Sequence, residues 1–456
     1  MSRRRVALGV AAGTFDRIAN ALIQLALVPI LATHWGLERY GSWAILLTLP
    51  NLLALGDLGF GGAATIRMTM QVARGELDQA RTTIRSGAQV QAVACSVLFG
   101  LAVLAALLLP DRALPAFSGT APEDLRAAIV LLAAYTCAML FTVLLIGVYR
   151  STSRFAAGSL FSTMTAALES GLLVLVVVLG HGILGAVVAL LTGRLLGITI
   201  IGLAAARLRT GLMPGLRGGS AAIRRELLVP ALAIMSIPLA STLLLQGTVS
   251  ALGFVAGAAA VPAFVAARTL SRIGLQATQV LTGALMPEFG AASARGQDRG
   301  VLRMVVVLSA TAAAIAVPFA LALAVAGPGI VYVWSNHTIH APHAMMLAIA
   351  VSALCGALWK PVSDLMLAAN RQAVFVVPHV ILAFAGVGFT LLTARSLGST
   401  APALALALTD VAMVIVVARF ARVNWIPPGS VVPVMRELWH EAGDWLGRLR
   451  QLIRRG

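Results

Sequence analysis

The sequence predicts an all-α polytopic membrane protein: about 12 transmembrane helices, in two six-helix lobes related by a parallel pseudo-two-fold repeat. Three observations carry this. The first is composition. Of 456 residues 59% are apolar and 11% charged, with a mean hydropathy of +0.92, whereas a soluble protein carries roughly 45–50% apolar and 25% charged residues. A soluble enzyme, a disordered chain, a collagen-like fibre and a disulfide scaffold are excluded. The second is segmentation: charge, Gly and Pro cut the chain into apolar runs that each meet the ~20-residue length of a membrane helix. The third is an internal repeat.

Taken in order, the helices fall near 6–34, 40–72, 79–110, 123–149, 153–179 and 182–207, then 226–252, 256–290, 299–326, 342–369, 372–395 and 401–420. The apolar run after Arg3-Arg4-Arg5 continues past Asp16-Arg17 to Leu31 without a cleavage-like site, so it reads as a retained helix and not a signal peptide. Helix two carries Pro50, Gly56, Gly59, Gly61 and Gly62. That density lets a helix bend and another backbone approach, which makes Pro50, Gly56 and Gly59 a candidate hinge. A Gly-rich basic linker, 209–225, separates an N-terminal lobe, 1–208, from a C-terminal lobe, 226–422. After Pro427-Pro428-Gly429, the tail 430–456 sets Met435, Leu438, Trp439, Trp445 and Leu449 opposite Arg436, Arg448 and Arg454. This is an amphipathic helix for the cytoplasmic lipid surface, or one packed on the protein's own loops.

The formal net charge of +17 is distributed by topology. With a cytoplasmic N-terminus and twelve crossings, the inner segments hold Arg3–Arg5, Arg67, Arg74, Arg81, Arg85, Arg150, Arg154, Arg207, Arg224, Arg295, Arg303, Arg371 and the basic tail. The outer ones hold only Arg39, Arg112, Arg126 and Arg395. The positive-inside rule then puts both termini in the cytoplasm. The basic excess is a topology signal, and no nucleic-acid partner is expected. Cys95, Cys137 and Cys355 lie in apolar runs and read as small buried hydrophobes.

In the repeat, Ala73-Arg74-Gly75 falls on Ala294-Arg295-Gly296, Gly36 on Gly257, Trp43 on Phe264 and Arg150 on Arg371. A slightly smaller shift aligns Leu179-Gly180 with Leu397-Gly398. Six helices per repeat is an even number, so both halves enter the membrane in the same direction. This is a common transporter plan.

The stretch Gly36-Leu-Glu-Arg-Tyr40-Gly41-Ser-Trp43, then Asp57-Leu58-Gly59-Phe60-Gly61, then Ala73-Arg74-Gly75, resembles the start of bacterial polysaccharide (O-antigen or exopolysaccharide) repeat-unit flippases. These belong to the multidrug/oligosaccharidyl-lipid/polysaccharide exporter superfamily. The six-plus-six likeness covers nearly the whole chain, and the motif covers the first two helices. The two extra helices typical of lipid II flippases are absent from the predicted set. The resemblance implies alternating access that flips an undecaprenyl-diphosphate-linked oligosaccharide from the cytoplasmic to the periplasmic leaflet of the bacterial inner membrane. It also implies glycosyltransferases before this step and a polysaccharide polymerase after it. It further implies a cavity lined by helices one, two, seven and eight, with basic residues of helices one and eight toward the substrate.

Ionisable groups inside a bilayer are costly and therefore functional candidates. Arg268 and Arg272, four apart on helix eight, share a face and suit the oxygens of a diphosphate; alternatively Asp16, Asp57 or another acid neutralises them. Arg17, on helix one, and Lys360, on helix ten, complete the candidate substrate-binding set, although Lys360 and Asp364 could satisfy each other. Asp16, Asn51, Asp57, Asp364 and Asp410 are candidates for the cavity or for ion coupling. For Asp57 the alternative is a hydrogen bond from a helix-one group such as Asn20. Glu169 and Arg194 flank the His181 turn at equal depth and read as a structural pair. His337, His340 and His343 lack a Cys or carboxylate companion and are interrupted by Pro342, so no metal is expected. No cofactor is implied. With no nucleotide loop, hydrolytic triad or zinc motif, the chain reads as a non-enzyme. The alternative function is an ion-coupled multidrug or toxin exporter of the same superfamily.

Overall fold

A computed structural model describes residues 3–108, 121–208, 210–369, 371–426 and 429–437. The helices are α1 (Arg3–Leu46), α2 (Thr48–Leu53), α3 (Phe60–Ala73), α4 (Leu77–Leu108), α5 (Pro122–Ser151), α6 (Phe155–Val178) and α7 (Ile183–Ala206). They continue with α8 (Ala221–Ala256), α9 (Val261–Ala294), α10 (Asp298–Trp334), α11 (His343–Ala368), α12 (Ala373–Leu397) and α13 (Thr400–Asn424). Among the described residues there is no strand. The fold is that of a polytopic α-helical membrane protein. Residues 431–437 are helical, and the rest of the expected tail helix, 438–456, lies outside the described residues.

Eleven stretches among the described residues are long and apolar enough to cross a membrane. The first, Ala12–Asp57, has 46 residues. At 1.5 Å per residue it would span about 69 Å, more than twice the ~30 Å hydrocarbon thickness. Gly36 (φ 69°, ψ 177°) interrupts it with a non-helical residue, where the sequence separates helix one from helix two. The expected twelve and the observed eleven differ only through this pair.

The repeat recurs in the backbone. Gly257 (φ 89°, ψ 160°) adopts nearly the conformation of Gly36, a region essentially reserved for glycine. Gly75 and Gly296 have φ of 80° and 66°. Each closes the same turn, Glu76 N–H donating to Gln71 O at 2.9 Å and Gln297 N–H to Ala292 O at 3.0 Å. Gly180 and Gly398 are likewise left-handed.

Packing divides the chain into two compact units. One comprises Met1–Leu270, Ala326–Met346 and Ala383–Ala405; the other comprises Ser271–Val325, Leu347–Leu382 and Leu406–Gly456. In the first, α1 packs on α6, α6 and α5 on α7, and α3 on α4 and α5, while α8 runs against α2 and α3. The α8 contact is close. A Cβ on Gly59 would lie 2.3 Å from Ala231 O of α8, and one on Gly41 1.8 Å from Ala258 O in the 3₁₀ turn that follows α8. Thr48 and Ser250 hydroxyls meet at 2.8 Å. The linker is tied to α4: Gln89 Nε2 donates to Leu216 O at 2.8 Å, and Ser220 N–H to Ser86 Oγ at 2.9 Å. In the second unit Phe289, Val305, Leu308 and Leu365 form a core, with Trp425 edge-on to Phe289 at 5.1 Å.

Candidate functional site

The interruption in helix two falls on the glycine-rich segment. After α2 comes one 3₁₀ turn, Ala54–Asp57, then Leu58 (φ 49°) and Gly59 (φ 78°), before α3 begins. Pro50 is buried in α2, and Asn51 is exposed, its amide turned back on Leu47 O at 2.9 Å. Asp57 is buried, and its Oδ2 accepts the Gly61 N–H at 3.0 Å. The carboxylate thus caps the first turn of α3, where unpaired N–H groups and the helix dipole favour negative charge. Asn20 is not its partner. Beside it, Gln91 donates to Leu140 O at 2.8 Å. Among the described residues, Asp57 Oδ1 and Gln91 Oε1 are both buried acceptors without a donor.

On α1, Asp16 Oδ1 accepts from Asn20 Nδ2 at 3.1 Å and from Thr163 Oγ1 at 2.5 Å. Its neighbour Arg17 is exposed and makes no hydrogen bond or ion pair among the described residues. A helix turns ~100° per residue, which separates the two side chains. On α9, Arg268 donates to Leu245 O at 2.8 Å and lies 5.6 Å from the Phe264 ring centroid. Arg272, in the second unit, is exposed and has no hydrogen bond or ion pair among the described residues.

Within the second unit, two sequence candidates come together. Asp410, 5% exposed, accepts from Ser352 Oγ at 2.5 Å and from Trp359 Nε1 at 2.8 Å. The Lys360 ammonium lies 5.7 Å from the Trp359 ring centroid. A Cβ on Gly356 would sit 3.5 Å from Lys360 Nζ and 3.7 Å from Asp410 Oδ1. The ammonium and the carboxylate therefore flank a bare glycine face of α11. Buried His379 stands edge-on to Trp359 at 5.1 Å. Ser352, Trp359 and His379 escape sequence reasoning: Ser352 and Trp359 are seven apart and so share a face of α11, but nothing in the sequence says that α13 presents Asp410 to that face. Asp364, one turn beyond Lys360, is half-buried.

Glu169 and Arg194 lie at equal depth and pair. Arg194 Nε lies 2.6 Å from Glu169 Oε1, its Nη2 donates to Glu169 Oε2 at 3.0 Å, and Tyr135 bonds to both partners. This ion-paired triad joins α5, α6 and α7. His337 and His340 pack their rings on Tyr332, at 4.7 and 4.8 Å.

No family model matches the chain, and no curated protein matches it. Solved structures do. Lipid II flippase MurJ in an inward closed conformation is similar at TM-score 0.69 and 12% identity, over 94% of this chain and 90% of that one. An inward-facing multidrug resistance transporter of the MATE family, MOP superfamily, gives TM-score 0.67 and 15% identity over 91% and 99% of the two chains. A MOP superfamily transporter from Pyrococcus furiosus, described as having a binding pocket of reverse polarity that suggests a different function, gives 0.58 and 14% over 94% and 96%. At these identities the likeness is one of fold.

Proposed function

We propose that the chain is a transporter that flips an oligosaccharide linked to a polyprenyl (undecaprenyl) diphosphate from the cytoplasmic to the periplasmic leaflet by alternating access. One observation carries the reading: two arginines within the spans, Arg17 and Arg272, are open, while the acids Asp16, Asp57, Glu169 and Asp410 are engaged. Arg17 and Arg272 are exposed and have no protein partner among the described residues. Asp16, Glu169 and Asp410 each accept hydrogen bonds from neighbouring side chains, and Asp57 caps a helix. Uncompensated guanidinium groups at membrane depth call for an anionic cargo, and a diphosphate fits their fork geometry. The glycosyltransferases that build such a cargo and the polymerase that consumes it are the partners this reading supplies. The lobes 1–208 and 226–422, the hinge at Pro50, Gly56 and Gly59, and an inner membrane with both termini cytoplasmic belong to the same reading. Asp57 and Asp410 are its coupling-ion candidates.

The experiment is flipping of a fluorescent oligosaccharide on a polyprenyl diphosphate in proteoliposomes, read by exposure to a membrane-impermeant glycosidase. Arg17→Gln or Arg272→Gln is expected to slow it at least about tenfold, the loss of one charge-assisted bond of ~1.5–3 kcal/mol. Cells lacking the chain should accumulate the diphosphate-linked unit on the cytoplasmic leaflet. The alternative, a multidrug or toxin exporter, shares the fold of MATE transporters. Unchanged intermediates together with new sensitivity to cationic drugs would select it.

A further inference from the structure

A second charged site is built on α3 and α8. Between α3, the turn after it and α8 is a cavity of about 370 Å³, within the range of small-ligand sites. Arg67, Gln71 and Arg74 line it from α3 and its C-terminal cap. Their spacing of four and then three residues puts them on one helical face. Arg67 Nη2 is held by Glu226 Oε2 of α8 at 2.5 Å. The Glu226 side chain is 57% exposed, so this ion pair is a weak, replaceable one. Gln71 is 5% exposed, and its Oε1 accepts the Thr83 hydroxyl at 2.8 Å. That bond fixes the amide and leaves Nε2 without a partner among the described residues. Glu76 is the second acid of the wall. Ile66 and Met70, 53% and 50% exposed, add an apolar strip on the same helix.

We propose that this cavity binds the phosphate group of an anionic lipid. Arg67 and Arg74 grip the phosphate oxygens, Gln71 Nε2 donates a third bond, and Glu226 is the anion that the phosphate displaces from Arg67. The guanidinium forks match phosphate geometry, and the strip of Ile66 and Met70 suits an acyl chain and not a free ion. The linker strapped to α4 lies at the same end of the unit, where Arg81 reaches Thr210 O. The site is thus framed by the arginine-rich connections. Releasing Glu226 from Arg67 would loosen α3 from α8, so lipid binding there modulates the joint between these two helices.

The test uses the full chain in phosphatidylcholine nanodiscs. The probes are dioctanoyl phosphatidic acid, inorganic phosphate and uncharged dioctanoylglycerol, with binding read by titration calorimetry and by hydrogen-exchange protection of residues 66–79. Phosphatidic acid should bind and protect that segment. The double variant Arg67→Gln/Arg74→Gln should weaken it about tenfold or more, since two charge-assisted bonds are lost. Arg67→Lys, which keeps the charge without the fork, should fall between. Glu226→Gln, which removes the competing anion, should tighten binding several-fold, an outcome that misfolding cannot imitate. Binding indifferent to the double variant, weaker binding by Glu226→Gln, or inorganic phosphate competing as well as the lipid would each overturn the proposal. Because none of these variants touches Arg17 or Arg272, loss of lipid binding here and loss of flipping there are separately readable.

Discussion

Asp57 shows how one residue can join a helix end to a buried polar defect. Its Oδ2 holds the Gly61 N–H, while its Oδ1 and Gln91 Oε1 are acceptors facing no donor among the described residues. Both side chains crowd the same glycine: a Cβ on Gly61 would sit 3.2 Å from Asp57 Oδ2 and 3.4 Å from Gln91 Nε2. Asp57→Asn keeps an acceptor for the cap and brings in an N–H₂ donor, so it should stabilise the protein by ~1 kcal/mol, the net worth of a satisfied bond. Asp57→Ala should destabilise it by ~1–2 kcal/mol through loss of the cap. Thermal unfolding in detergent checks both signs. If Asn and Ala lose stability equally, the charge itself holds the helix end. Asp57 and Asp410 are legible in the sequence because a charge stands out in an apolar run. Gln91, Ser352, Trp359 and His379 are not, because neutral polar residues are ordinary within helices and become partners only when another helix presents a carboxylate or an amide.

At the scale of elements, the seam between α1–α3 and α8 with the short turn that follows it is continuous. Gly41 meets Ala258, Thr48 meets Ser250, Gly59 meets Ala231 and Arg67 meets Glu226. Helices associate in lipid through close backbone approach more than through hydrophobic drive, so small residues decide how near these elements come. A methyl group at Gly41 would fall 1.8 Å from a backbone oxygen, which no rotamer change relieves. Gly41→Ala should therefore cost at least the ~1–3 kcal/mol of an overpacked core and lower the unfolding temperature. Gly13→Ala, with nothing within 4 Å, should leave the unfolding temperature unchanged or raise it by favouring the helix. Equal behaviour of the two would mean that the seam yields. The turn glycines 36, 75, 180, 257, 296 and 398 were readable from the repeat, because left-handed or extended glycine backbone marks where a helix must stop. Gly41 was not, since a close approach depends on a partner distant in the chain.

For the whole molecule, composition alone suffices to place the chain in a membrane, and the remaining question is the parity of its crossings. If Ala12–Asp57 crossed once, every later connection would change sides. Arg67, Arg74, Arg81, Arg85 and the basic linker would then lie outside, against the bias that orients membrane helices. The break at Gly36 and the length of the stretch favour two crossings. In a variant with Cys95, Cys137 and Cys355 replaced, a single cysteine at Glu38 should react with an impermeant maleimide in intact cells. One at Gln297, in the turn closed by Gly296, should react only after permeabilisation. One at Ser399, beside the left-handed Gly398, should again react from outside. A single crossing reverses the second and third results, because it removes one passage before all later turns. Labelling of Gln297 in intact cells would thus overturn the twelve-crossing arrangement and, with it, the cytoplasmic placement of the cavity between α3 and α8.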